Sequence, residues 1–479
     1  MVNVRRVVVL LAAIGLFSIA GSLCAQSDIK LFVGPAERLP LVGTGITSPT
    51  QPMPVSAANP TGAAPWLLAA NLGSLDTSPP EAMQPTLTIA ELEGMAWANN
   101  PTLVQAARQI DALRGKQLQE GLYPNPHMGY LGEEMGDDGR AGQQGGFLGQ
   151  EIVTGGKLRL NRAVVGHEIT MARRDWEIQC LRVTNDVRAS AYDVIAAQRR
   201  VALDEQLLHI GRQGLSTAEQ LFQAKEVSNV DVLQARIEAN STKLQLENAR
   251  NTHQAAWQRL AAVVGSPDMQ VVRLEDGLEA AMPERSWESA MTRLMESSPE
   301  RARAWAEIER AKCFLARQQA ERVPNFDLEA GVQYDNATRD NIASVRVAAP
   351  LKIFNRNQGN IRAAEAQLTA AHQNLRRTEL QLQERLAAAF KQHVNARQQV
   401  KLYRGEILPD ASRSLELVQQ GYRQGEFGYL ELLTAQRTYF RTHLAYVESL
   451  RTLWVSGTMI DGMLLTGGLE SPGIADKSF

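Results

Sequence analysis

Two periodicities alternate along this chain. From Phe326 to Tyr334 apolar and polar residues strictly alternate: Phe326, Leu328, Ala330, Val332 and Tyr334 share one face, and Asp327, Glu329, Gly331 and Gln333 the other. Period two marks a β-strand with two unlike faces. Asn336 to Asn341 is a polar turn, and Ala343, Val345 and Val347 then alternate with Ser344 and Arg346, which predicts a β-hairpin. His127 to Met135 and Gly146 to Val153 form a second candidate hairpin around a glycine-rich loop, Gly136 to Gly142. In a water-soluble protein the apolar face would meet a core. In an exported protein it would equally face lipid, with the polar face lining water.

The other periodicity is helical. Ile361, Ala364, Leu368, Ala371, Leu375, Leu382, Leu386 and Ala389 follow steps of three and four, as do Val230, Leu233, Ile237 and Leu244. Such stripes, rich in small residues, predict helices packed closely on neighbouring helices. A helix starts near Thr88, with Ile89 in its first turn. Another opens at Asn100-Pro101, a cap followed by proline at the first helical position, and runs to about Leu122. Strong helix formers from Leu158 to about Lys225 predict a rod roughly 100 Å long. A return helix spans Asn229 to Val264 and ends at Gly265-Ser266-Pro267. Ser298-Pro299 opens a helix to about Arg322, and Pro409 is expected to kink the second long helix.

The two halves repeat. Residues 126–265 and 325–466 carry one unit twice, at an offset of 200 residues. Phe222, Glu226, Val230, Asp231, Leu233 and Ala235 align with Tyr422, Glu426, Leu430, Glu431, Leu433 and Ala435. Asn161-Arg162-Ala163 faces Ile361-Arg362-Ala363, and Pro124-Asn125 faces Pro324-Asn325. The period is too long for a solenoid unit, so it reads as a duplicated half-protein.

Composition narrows the class. The chain has 479 residues, 44% of them hydrophobic, and a net charge of −2, which does not imply a nucleic-acid partner. Arg5 and Arg6 precede an apolar run from Val7 to Ala20, the plan of a secretory signal with cleavage after Ala25. Its removal takes two arginines and no acid, leaving −2 − 2 = −4. Cys24 suggests lipidation, but Leu23 stands where that reading expects Gly or Ala. Cys180 and Cys313 are expected to be buried free thiols. No later apolar run is long enough for a transmembrane helix, so a membrane span would have to be a closed β-barrel. Residues 26–85, rich in Pro, Gly, Ser, Thr and Ala, read as a linker. The chain thus divides into a signal peptide (1–25), the linker (26–85), a first repeat (86–265), a connection (266–285), a second repeat (286–466) and a C-terminal tail (467–479).

Catalytic and metal motifs are absent. Gly155-Gly156-Lys157 lacks the earlier glycine and the following Ser/Thr of a phosphate loop. The seven histidines show no i, i+3 or i, i+4 pair, so each reads as a surface or tunnel-wall residue rather than a ligand. Glu133-Glu134 and Asp137-Asp138 read as a solvated loop. Nothing argues for covalent or acid–base catalysis, and no cofactor or metal site is expected.

The repeated plan of hairpin, very long helix and return helix resembles the outer-membrane efflux protein family (TolC-like). The stretch Tyr422-x-x-Gly425 to Leu430-x-x-Leu433-x-Ala435 is similar to its second-half motif; the first half has Phe222 for Tyr and Lys225 for Gly. Gln150 to Arg159 and Pro350 to Ile361 resemble the heavy-metal CzcC-type branch. The resemblance implies a mainly α protein with a small β part. Three protomers would join their paired hairpins into a twelve-stranded outer-membrane barrel, below which coiled-coil helical hairpins would form an α-barrel tunnel across the periplasm. A lone hairpin cannot close a barrel, and a lone 100 Å rod cannot bury its stripe, so three-fold assembly answers both. It implies a passive export channel, served by a periplasmic adaptor and an inner-membrane pump of the resistance-nodulation-division type, with heavy-metal cations as one cargo. Phe326, Leu328, Val332 and Tyr334 are the expected lipid-facing positions. Glu226, Glu426, Tyr429, Asp231 and Glu431 lie where the family places its periplasmic gate. Against the gate stands a plainer role for Asp231 and Glu431, as acids capping a first helical turn. A periplasmic coiled-coil adaptor or scaffold without a membrane span is the competing reading.

Overall fold

The computed structural model describes residues 86–472 apart from 137–140, 276, 281–283 and 425. The expected signal peptide, the linker, Cys24, Asp137-Asp138, Gly425 and residues 473–479 of the tail therefore lie outside the described residues. In chain order the elements are β1 (Thr86–Leu87), α1 (Ile89–Asn99), α2 (Pro101–Gln119), β2 (His127–Glu133), β3 (Gln143–Ile152), α3 (Lys157–Gln223), α4 (Asn229–Val264) and β4 (Arg273–Leu274). The second half follows with α5 (Trp287–Ser297), α6 (Pro299–Ala320), β5 (Phe326–Asp335), β6 (Asn341–Ala348), α7 (Gln358–Leu402), a π-turn (Tyr403–Ile407), α8 (Leu408–Gln424) and α9 (Tyr429–Asp461).

Local chemistry sets these boundaries. Thr88 and Glu91 form a reciprocal capping box at the start of α1. The Asn100 side chain accepts from the Thr102 amide at 3.0 Å, and Ser298 does the same for Arg301 in the second repeat, each ahead of a helical proline. Gly265, at φ 81°, ends α4 in a left-handed cap that only glycine adopts without strain. With 67 residues, α3 is about 100 Å long. The interruption expected at Pro409 is the π-turn: the Leu408 amide reaches back to the Tyr403 carbonyl. This widened turn accommodates a proline that has no N–H to donate and whose ring crowds the preceding turn.

β2, β3, β5 and β6 form one antiparallel sheet in that order, so the two hairpins lie side by side and β2 and β6 are its edges. The main core sits where the repeats meet at mid-length of the long helices. There Val183, Val187 and Ile195 of α3 pack with Leu92, Trp257, Leu260 and Leu450. The segment after α9 is fastened to this core: Asn185 donates to the Gly462 and Leu465 carbonyls, each at 2.8 Å, and Asp186 accepts from the Gly467 and Gly468 amides. Two small elements escaped the sequence reading, α5 and the parallel β1–β4 pair, because both are stabilised by packing on distant helices rather than by a long local pattern.

The helical stripes divide into two kinds. Ile361, Ala364, Ala371, Leu382, Leu386 and Ala389 of α7 are buried within the chain, as their spacing predicts. Val230, Leu233, Ile237 and Leu244 of α4 are exposed, Ile237 by 68%; the inward face of α4 is instead Val232, Ala235, Ala239, Thr242 and Leu246. This exposed stripe therefore has no partner among the described residues of one chain. His393, expected at a surface or tunnel wall, is in the core beside Ser456. Cys180 is buried and Cys313 half-buried; both are free thiols, and burial pushes Cys180 up to about 11.

Candidate functional site: the sheet face, the helix joint and the tip turns

Strand register aligns the faces of the sheet. Met128, Leu148, Ala330 and Val345 form one row across all four strands, and Tyr130, Gly146, Val332 and Ala343 the next. These apolar residues point away from the protein: Met128 is 84% exposed, Leu148 58%, Val332 60% and Val345 74%. Phe326 and Tyr334 share the exposed face, with Leu328 half-buried on it. The opposite face carries His127, Phe147, Glu329, Gln333, Ser344 and Arg346, with Arg346 paired to Glu329 at 3.4 Å. Gln333, expected toward water, is on that face but only 3% exposed. The chain passes too close for it to stand free, since a Cβ on the facing Gly145 would meet the Gln333 side chain. An apolar outside and a polar inside invert the arrangement of a water-soluble sheet.

Between sheet and rod lies a polar joint. Gly155 and Gly156 both take positive φ and turn the chain from β3 into α3. Lys157, the first helical residue, is 3% exposed. Its ammonium donates to Asn325 Oδ1 at 2.6 Å and lies 3.7 Å from Glu321. Asn325 in turn donates to Glu151 at 2.6 Å, and Thr154 donates to the Pro324 carbonyl at 2.5 Å. Burial lowers the Lys157 pKa against the pull of Glu321. Burial also opposes the Glu321 charge, but Arg317, Lys157 and Lys352 together hold its carboxyl below the ordinary range. The Gly-Gly-Lys stretch that fails as a phosphate loop is this joint. Sequence reasoning missed it, although the repeat aligns Pro324-Asn325 with Pro124-Asn125.

At the far end the two tip turns share one equivalent backbone hydrogen bond. The Glu226 amide donates to the Leu221 carbonyl at 2.9 Å, and the Glu426 amide to the Gly421 carbonyl at 2.9 Å. In the first turn the Lys225 amide also reaches the Phe222 carbonyl at 3.0 Å, completing a Schellman motif. That motif needs a left-handed residue, and Lys225 supplies it at φ 61° where glycine is favoured. The Glu226 and Glu426 side chains are exposed.

The acids that follow differ. Asp231 is locked in a capping box: its Oδ2 accepts from the Ser228 amide at 3.0 Å and from the Ser228 hydroxyl at 2.7 Å. Those bonds hold its carboxyl below the ordinary range. Glu431 follows Gly428, which has no side chain to reciprocate, and it is exposed with no hydrogen bond or ion pair among the described residues. Tyr429 is half-buried against Leu215, Ala218, Val232 and Ala235, so it joins the second tip to the first. Among the described residues no group of His, Cys, Asp and Glu is arranged to hold a metal ion, and no helix is long and apolar enough to cross a membrane.

Known proteins resemble this chain in sequence and in fold. The sequence profile of the outer membrane efflux protein family matches residues 92–266 and 291–453. The cobalt-zinc-cadmium resistance protein CzcC of Cupriavidus metallidurans is 29% identical over 392 residues, covering 81% of this chain and 91% of that protein. The nickel-cobalt-cadmium resistance protein NccC of Alcaligenes xylosoxydans xylosoxydans is 26% identical over 336 residues, covering 68% of this chain and 74% of that protein. Among solved structures, CusC superposes with a TM-score of 0.67 at 16% identity, over 80% of this chain and 93% of CusC. The outer membrane protein VceC of Vibrio cholerae gives 0.64 at 16% identity, over 79% and 96%.

Proposed function

We infer the function from one premise: the chain belongs to the outer membrane efflux protein family. It is the outer-membrane channel component of a tripartite efflux system, a conduit and not an enzyme, and it works as a trimer. One observation carries the physical side of this reading: the sheet turns its apolar rows outward at the end of a 67-residue rod. Such a sheet is stable where its outer face meets hydrocarbon, and its unpaired edges, β2 and β6, are satisfied when copies join edge to edge. Three copies of four strands give the twelve strands of a closed barrel. The exposed stripe of α4 has the same need and the same answer, a neighbouring protomer.

The finer assignments are our proposals. The helical rods form a tunnel through the periplasm, and their tips meet an adaptor and an inner-membrane pump of the resistance-nodulation-division type. Phe326, Leu328, Val332 and Tyr334 face lipid. Glu431 contributes three carboxylates to a ring at the narrow end, where Glu226, Glu426 and Tyr429 shape the turns; such a ring favours cations. Likeness to two metal-resistance proteins supports divalent heavy-metal cations as cargo. A coiled-coil adaptor without a membrane span is disfavoured, since it has no use for an outward apolar sheet. Deleting the gene and scoring growth on graded cadmium, zinc and cobalt tests the cargo. Increased sensitivity that the wild-type chain reverses is the expected result; unchanged tolerance to all three would overturn it.

A further inference from the structure

A cleft of about 390 Å³ opens at the waist, between the C-terminal end of α7, the π-turn, α9 and the connecting segment at Leu278–Ala280. That volume is in the range of small-molecule sites. Its floor is apolar: Val400, Tyr446, Leu450 and Leu453. Its charged groups are mostly of one sign. Arg397, Lys401 and Arg404 recur on one side of the helix at steps of four and three, while Glu279 is the acid among the lining residues. Glu279 is already held by Arg199 at 3.1 Å, and Arg397 by Glu284. Lys401 and Arg404 have no acidic partner among the described residues, so two positive charges face an apolar floor uncompensated. His393 is at the inner wall, and burial and the neighbouring Arg285 lower its pKa.

We propose that this cleft binds a small, soluble amphipathic anion: an apolar ring or short chain carrying a phosphate or carboxylate group. The apolar body covers Val400, Leu450 and Leu453, and the anionic group takes charge-assisted hydrogen bonds from Lys401 and Arg404. A bilayer headgroup is not the source. The 45 residues of α7 separate the cleft from the sheet by on the order of 60 Å, far more than the thickness of a bilayer leaflet. The site lies outside the strand face, the joint and the tips, and nothing in the channel function requires it. An occupant would rest on the π-turn, where α7 passes into α8.

Calorimetric titration of the purified full-length trimer in detergent tests this, with phenyl phosphate as the probe and phenyl glucoside as its uncharged counterpart. Phenyl phosphate should give saturable heat and phenyl glucoside none. The double variant Lys401→Gln, Arg404→Gln should weaken binding at least tenfold. Lys401→Arg, which keeps the charge, and Arg413→Gln, in an exposed pair with Glu416 beyond the cleft, should bind as wild type. No saturable binding to the wild-type trimer, equal binding of the two probes, or an unchanged affinity in a double variant that still elutes as a trimer would each overturn the proposal.

Discussion

Asp231 and Glu431 occupy the same place in the two repeats, yet only Asp231 is bonded to its own helix cap, through Ser228 at 2.7 Å and 3.0 Å. The second repeat has Gly428 where the first has Ser228, so Glu431 has no cap partner among the described residues. The duplication kept the acid and changed its chemistry. In single-channel recordings Glu431→Gln should therefore reduce cation selectivity and weaken block by multivalent cations. Asp231→Asn should leave both at wild-type levels and cost roughly 0.3–1 kcal/mol at the start of α4. Equal effects of the two substitutions would remove the distinction.

Lys225 pays for its left-handed φ of 61° with strain that glycine would not carry. Lys225→Gly should stabilise the first tip by roughly 0.5–1 kcal/mol. Slower amide exchange at Glu226, whose N–H closes the turn, is the expected sign. Faster exchange there would mean that the turn relies on the lysine side chain instead.

The long rods, the return helix from Asn229 to Val264 and the hairpin from Phe326 were legible because each is a local pattern, sustained over many residues or stopped by a named cap. What the pattern could not supply was direction. Val230, Leu233 and Ile237 make as good a stripe as Ile361, Ala364 and Ala371, but the first set looks outward and the second inward. Spacing states that a face is apolar and not what covers it. The joint was hidden for a different reason. Lys157, Glu321 and Asn325 come from both halves of the chain, and no single window of sequence contains them. Gln333 misled because alternation placed it on the correct face without revealing how closely Gly145 crowds it.

At the joint, removing Lys157 would leave Asn325 and Glu321 without their buried cation. Lys157→Met should cost about 2–4 kcal/mol and lower the temperature at which the trimer dissociates on detergent gels. Lys352→Met removes a more exposed partner of the same Glu321, 24% against 3%, and should cost less. If Lys352→Met proves the more damaging, Lys157 is not the hub of the joint.

The two faces of the sheet should answer differently to charge. Val332→Arg puts a cation on the outward face, where the cost in mid-bilayer is about 2–4 kcal/mol. Ser344→Arg puts one on the opposite face, beside the Arg346–Glu329 pair. The first should impair recovery in the outer-membrane fraction and the second should not. Equal tolerance would place this sheet outside the membrane.

The central claim is that three copies form one conducting pore. Purified protein added to a planar lipid bilayer, with its mass measured in the same detergent, tests that directly. The expected outcome is a mass of three chains and discrete steps of ion current. A stable monomer soluble without detergent, and a silent bilayer, would contradict it.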